Sequence, residues 1–197
     1  MSPSESVSNR TAINEHIGDW FDQATAPGIS VAVVSSSEQL YIDSFGSRDR
    51  ESNAPVTPET VFGVGSCTKS LTALAVLKLV ETGTISLEDP VTKYLPDLEA
   101  IVDEGITIHD LLSHGSGMPS DGYLYSLLTQ LTDRGSAQHT VNLANKADFH
   151  NHIAKFADNR VTDDEWRFYY NTGYTLLGEL IEACTRRSYS EYVKEEI

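Results

Sequence analysis

Residues 65–80 read Gly65-Ser66-Cys67-Thr68-Lys69-Ser70-Leu71-Thr72-Ala73-Leu74-Ala75-Val76-Leu77-Lys78-Leu79-Val80. A serine and a lysine stand three residues apart at the head of a long apolar run. The spacing predicts a helix, on which positions i and i+3 share a face. Ser66 then falls in the first turn, where unpaired backbone N–H groups and the helix dipole favour developing negative charge. Lys69 projects beside its hydroxyl. A serine is a poor nucleophile until a base takes its proton, and a desolvated lysine is neutral enough to do so. The helix body over 70–82 is apolar nearly all round, which predicts a buried element, and Gly83 supplies its stop. Taken alone, Ser-x-x-Lys is a common pattern whose bland reading is an N-capping serine and a solvated lysine. The reactive reading gains because this lysine sits one turn upstream of a helix expected to be buried.

Working outward, 197 residues suffice for one domain with a core. Asp plus Glu number 29 against 14 Lys plus Arg, a formal charge of −15 and a pI of about 4.6. With no basic patch to neutralise phosphates, nucleic acid and anionic membrane surfaces are excluded as partners. An acidic surface resists salting-out, so a halophilic source is expected; full stability in dilute buffer would count against it. Met1–Asn9 is polar and Ser-rich. It lacks the charged and apolar regions of a secretion signal, so residues 1–10 read as a disordered tail and the location as cytoplasmic. No apolar run reaches bilayer length. Cys67 and Cys184 are expected as two buried free thiols rather than a disulfide framework. Cys67 as the nucleophile is the lesser alternative, because Ser66 has the better spacing to the lysine.

Upstream, residues 11–24 predict an amphipathic helix with Ile13, Ile17, Trp20 and Phe21 on one face. Strands follow over 29–34 and 39–45, joined by a hairpin turn at Ser35–Glu38, and 46–60 reads as a polar loop. A two-stranded ribbon is marginal alone, and the apolar strand over 29–34 asks for more sheet than the chain supplies. Downstream, 85–96 reads as a turn with a short helix. Thr107 caps a short helix through Leu112. Residues 146–157 and 172–185 read as helices, the second strongly apolar, and Ser188 caps a last one. Gly122–Asn145 is unpatterned, and Asp158–Arg167 is a polar connection.

Several ordered segments carry a family likeness. Val56-Thr57-Pro58-Glu59-Thr60-Val61-Phe62, the Ser66–Lys69 stretch, Ile85-Ser86-Leu87-Glu88-Asp89-Pro90-Val91, Leu111-Leu112-Ser113-His114-Gly115-Ser116-Gly117 and Tyr169-Tyr170-Asn171 stand in that order. Together they resemble the serine β-lactamase and penicillin-binding protein superfamily, nearest its branch of class C β-lactamases, D-alanyl-D-alanine carboxypeptidases and esterases. The resemblance runs over nearly all of 27–197. It implies an α+β, β-lactamase/transpeptidase-like fold. This chain would supply the helical subdomain with an N-terminal helix and β-hairpin, without the central sheet strands. It implies Ser66 as the acylated nucleophile and Lys69 as acceptor or relay of its proton. Tyr169 would be the partner base or acid, and Asn171 would bond the substrate's acyl side and Lys69. Chemistry supports the pairing independently, because an adjacent ammonium lowers a phenol's pKa enough to make it a useful base. A core aromatic competes as the reading of Tyr169, and a helix N-cap competes or coexists at Asn171. Tyr170 stands where the family often has serine.

His114 has the residue type of a triad histidine; the likeness places it instead in a structural loop beside the site. His150-x-His152 lacks a second pair with ligand spacing, so both histidines are expected to be solvated, and neither metal nor cofactor is assigned.

The family's third motif, Lys-Thr-Gly or His-x-Gly on a central strand, has no counterpart here. That strand supplies the second oxyanion N–H, a donor worth roughly 2.7–4 kcal/mol of barrier. Residues 11–197 therefore read as an incomplete hydrolase domain, truncated or partnered by a C-terminal half or complementary chain, with little turnover expected of the chain alone. The expected activity is hydrolysis of amide, ester, peptide or β-lactam substrates through an acyl-enzyme on Ser66. The alternatives are a non-catalytic sensor or binding module and a degenerate fragment.

Overall fold

The computed structural model describes residues 3–99, 101–118, 145–154 and 169–197. The unpatterned stretch over 122–145, apart from Asn145, and the polar connection over 158–167 lie outside them, as do residues 155–157 of a predicted helix. The chain divides into two compact units, Met1–Gly63 and Val64–Ile197.

In the first unit, α1 (Pro3–Gln23) starts earlier than the predicted Thr11, so most of the stretch expected as a disordered tail is helical. Proline is suited to a first helical position because its missing N–H has no partner there anyway. Strands β1 (Gly28–Val34) and β2 (Gln39–Asp49) pair antiparallel, with Ile29 opposite Phe45 and Val33 opposite Tyr41. The expected turn is present: Ser35 N–H donates to Glu38 O at 2.8 Å, and Ser35 Oγ accepts from Glu38 N–H at 3.0 Å. The loop expected over 46–60 is partly strand, because β2 runs to Asp49 and a two-residue β3 (Ala54–Pro55) pairs with it. Polar side chains hold that turn from within. Ser47 Oγ donates to Ala54 O at 3.0 Å, and the Asp49 carboxylate accepts from Glu51 N–H at 2.9 Å and Ser52 Oγ at 2.7 Å. Buried Tyr41 donates to Asn14 of α1. Val33, Val34 and Leu40 stay exposed, and β1 has β2 alone as its neighbour among the described residues.

The second unit contains α2 (Thr68–Glu81), α3 (Ile108–Leu112), α4 (Lys146–Ala154), α5 (Thr172–Thr185) and α6 (Tyr189–Glu196). Its core joins Val76 and Leu79 of α2 to Ile108 and Leu111 of α3 and Leu176, Leu180 and Ile181 of α5. Both predicted caps form as full capping boxes, Thr107 with Asp110 and Ser188 with Glu191. Between α2 and α3 the single short helix expected is two 3₁₀ turns, Val91–Lys93 and Pro96–Leu98. Asp89 organises that connection, accepting from Ser86 N–H at 2.9 Å, Lys93 at 2.8 Å and the Tyr94 hydroxyl. Those bonds, led by Lys93, hold its carboxyl at about 2.

Two expectations are corrected here. Helix α2 is not buried all round: Thr72, Ala75, Val76 and Leu79 face the core, while Leu71, Leu74 and Leu77 are 40%, 52% and 45% exposed. An apolar sequence states what each face prefers, not whether a partner covers it. Nor are both thiols buried, because Cys67 rides the exposed turn before α2 and Cys184 is half-buried. No helix among the described residues is long and apolar enough to cross a membrane.

Candidate active site

Gly65 takes φ +52°, a left-handed conformation that glycine adopts without steric cost. It opens a 3₁₀ turn, Gly65–Cys67, closed by Cys67 N–H donating to Val64 O at 3.1 Å. Ser66 therefore sits in a tight turn just ahead of α2, not in the first turn of the α-helix as expected. It is exposed, and Lys69 is half-buried. Lys69 Nζ donates to Ser66 Oγ at 3.2 Å and to Asn171 Oδ1 at 2.6 Å. The same nitrogen lies 4.6 Å from the Tyr169 ring centroid and 5.6 Å from that of Tyr174, within range of the cation–π attraction. The fold thus gathers Ser66, Lys69, Tyr169 and Asn171 around one amine.

Asn171 holds the N-cap position of α5, but its backbone is helical (φ −88°, ψ −31°) and its side chain makes no capping bond. Of the two roles open from sequence, the side chain takes the bond to Lys69. Tyr169 is 59% exposed, which removes the core-aromatic reading. Its phenol titrates below the usual tyrosine value, because Lys69 first and Ser66 second hydrogen-bond the ionised oxygen. Burial pushes Tyr41, Tyr94 and Tyr174 the other way. Tyr169 is accordingly expected to be the first of these phenols to ionise. A wild-type minus Tyr169→Phe phenolate spectrum should rise below the ordinary value of about 10. A difference spectrum rising at or above that value would contradict the arrangement.

The segment ahead of α5 is locked from behind. Tyr170 is 2% exposed, and its hydroxyl shares a hydrogen bond with Ser116 of the loop after α3. Gly173 makes room for it: a Cβ there would lie 2.7 Å from Tyr170 Oη. Gly173→Ala is expected to destabilise the fold by about 1–3 kcal/mol through overpacking, despite alanine's better helix propensity. A denaturant midpoint equal to or above wild type would refute the contact. His114, in that same loop, meets the rings of Tyr169, Tyr170 and Tyr174 at 4.7, 5.4 and 5.2 Å. Its pKa is lowered, first by burial and then by Lys69.

Along α5 the site opens into a cavity of about 660 Å³ lined by Ser66, Lys69, Asn171, Phe149, Tyr174 and Glu179, among others. That volume is within the range of small-ligand sites. Helix α4 forms one wall. His150 Nε2 meets Glu179 Oε2 at 2.9 Å, and Lys146 Nζ meets Glu182 Oε2 at 2.8 Å. His150 is therefore not the solvated histidine expected. Glu179 is 8% exposed, and a carboxylate that far from water requires a partner. The described residues include no group of three or more side chains able to hold a metal ion.

Sequence reasoning missed Tyr174, Phe149 and Glu179. Tyr174 was discoverable, since it lies three residues after Asn171 on one helix face. Phe149 and Glu179 reach the site only through the packing of α4 on α5, which leaves no local sign.

Comparison with known proteins bears on the whole chain. A family model described as Beta-lactamase matches residues 14–197. Protein flp of Staphylococcus aureus (strain MW2) is 30% identical over 172 residues, covering 86% of this chain and 32% of that protein. Esterase EstB of Burkholderia gladioli is 40% identical over 106 residues, 50% of this chain and 27% of the esterase. Among solved structures, the octameric penicillin-binding protein homologue from Pyrococcus abyssi superposes with a TM-score of 0.81 at 36% identity. That match covers 95% of this chain and 42% of the other. The chain thus spans less than half the length of these relatives, and its α+β architecture is the part of the β-lactamase/transpeptidase fold that it shares with them. With the family model matched over nearly its full length, the chain belongs to the beta-lactamase family.

Proposed function

We propose that this chain carries the nucleophile of a serine acyl-transfer enzyme acting on amide, ester, peptide or β-lactam carbonyls. Ser66 Oγ adds to the carbonyl carbon while its proton passes to the Lys69 amine or the Tyr169 phenolate. The tetrahedral intermediate collapses, the bond to the leaving nitrogen or oxygen breaks, and the leaving group takes that proton. Ser66 is left as an ester. Water then adds to the ester carbonyl and gives a proton to the same base, which returns it to Ser66 Oγ as the ester C–O bond breaks, releasing the acid and the free serine. Asn171, with Oδ1 engaged by Lys69, has its amide N–H donors for the acyl side of the substrate.

The observation that carries this reading is the bonding of one amine, Lys69 Nζ, to both Ser66 Oγ and Asn171 Oδ1 across 102 residues of sequence. A solvated surface lysine would not hold two such partners between two aromatic rings. The 36% identity to a penicillin-binding protein homologue favours a second reading, a covalent binder that acylates without release. One experiment addresses both. The folded chain is incubated with a fluorescent penicillin and, separately, a fluorophosphonate, and the adduct is mapped by mass spectrometry. One adduct per chain on the peptide bearing Ser66 is expected. Loss of the penicilloyl adduct over time indicates hydrolysis and its persistence a covalent binder, the phosphonyl adduct being stable in either case, and absence of both adducts from folded protein would falsify both readings.

A further inference from the structure

His114 stands at an unusual backbone position. It follows Ser113, the C-cap of α3, with φ +59°. Its N–H donates to Leu111 O at 3.4 Å, and Gly115 N–H donates to Asp110 O at 2.7 Å, closing the helix end. Glycine or asparagine ordinarily fills such a left-handed C-terminal position. A ring residue there is held against a local preference, which directs attention to what the ring does. Its Nδ1 accepts from Tyr170 N–H at 3.4 Å, which requires a neutral imidazole with its proton on Nε2. The ring also touches Tyr169, whose phenol adjoins Lys69, and Tyr174, whose ring walls the same amine. One imidazole therefore braces the segment that delivers both Tyr169 and Asn171 to Lys69.

We propose that neutral His114 is a positioning residue for the Ser66 centre: its Nδ1 lone pair anchors the Tyr170 amide, its ring braces Tyr169, and its protonation releases the 169–171 segment and sets the acid limit of reactivity. This rests on the acyl-transfer reading above. Protonation removes the acceptor and puts a second cation beside Lys69. The groups facing the ring are Lys69 from α2, Tyr169 and Tyr170 from the segment before α5, and Tyr174 from α5; Ser116 of its own loop is tied to Tyr170. Lys69 is the one charged group acting on it among the described residues, and it opposes protonation, as burial does. The acid limb therefore lies below the ordinary imidazole value of about 6.5. The linked stability has the same sign. The unfolded chain binds the proton first, so this contribution is present above about 6.5 and is lost as pH falls through the folded value.

Two variants and two readouts test it. Asparagine at 114 tolerates positive φ and offers Oδ1 in place of Nδ1, without titrating. Leucine offers no acceptor. In wild type, the His114 imidazole and Tyr170 amide NMR signals are expected to titrate with one midpoint, shared by the acid limb of Ser66 labelling with fluorophosphonate. His114→Asn should keep labelling at neutral pH and lose the fall in rate that follows the imidazole titration, the pH dependence of the Lys69–Tyr169 base remaining, whereas His114→Leu should label about tenfold more slowly at neutral pH, as expected of a displaced catalytic segment. An unchanged acid limb in His114→Asn, or a Tyr170 amide that ignores the imidazole titration, overturns the proposal. Should wild type take no label, the acyl-transfer reading fails, and the shared NMR midpoint still decides whether His114 anchors the segment.

Discussion

A Ser66→Ala chain is expected to take up no acyl label from either probe. The alcohol is the atom that becomes the ester, so the loss is of the covalent product itself; removing a serine nucleophile costs roughly 10⁶-fold where it has been measured. The substitution is clean because Ser66 is exposed and lies outside the core. Stability should stay within about 0.5 kcal/mol of wild type. Its hydroxyl accepts from Lys69 at 3.2 Å, so the variant also frees one donor of that amine. Cys67 is the internal control. It is exposed and adjacent, and label appearing on it in Ser66→Ala, then vanishing in Ser66→Ala/Cys67→Ala, would transfer the nucleophile to the thiol. Label remaining elsewhere would show the reaction to be adventitious.

Lys69→Met is expected to slow labelling of Ser66 by roughly 10²–10⁴-fold, the usual contribution of a positioned acid or base. Methionine keeps an unbranched stem between Tyr169 and Tyr174 and deletes the amine. It breaks the bonds to Ser66 Oγ and Asn171 Oδ1 together. A second readout separates proton transfer from packing. Lys69 is the largest cause of the lowered Tyr169 phenol, so that titration should move back toward the ordinary tyrosine value. Lys69 also opposes protonation of His114, which should rise toward the ordinary imidazole value. A labelling rate like that of wild type, with Tyr169 unmoved, would remove the lysine from the chemistry.

These expectations were unequally visible beforehand. Helix α5 has the bounds read from its apolar pattern, because Leu176, Leu177, Leu180 and Ile181 recur at helical spacing and the core takes them all. The caps Thr107 and Ser188 were legible for a local reason, since each needs only an acidic residue three positions on. Over 46–60 and 85–96 the structure departs in part from the loop and the single short helix expected, because polar turns satisfy their backbones through side chains, and such bonding is not periodic. Helix α2 was read as wholly buried because composition reports apolarity per residue, whereas Leu71, Leu74 and Leu77 lack cover among the described residues.

From the linear chain alone came the reactive residue types, the spacing from Ser66 to Lys69 and the order of segments that marks the family. Helical repeat and cap chemistry operate over three or four residues, so one dimension contains them. Folding realised the Lys69–Asn171 bond that the resemblance implied, and it alone decided that Asn171 leaves its cap unmade, that Tyr169 is exposed and that His114 braces the tyrosines. Each of those depends on segments separated by dozens of residues meeting within a few ångströms. Such meetings are set by how α3 and α5 bury their shared core, which no local stretch encodes.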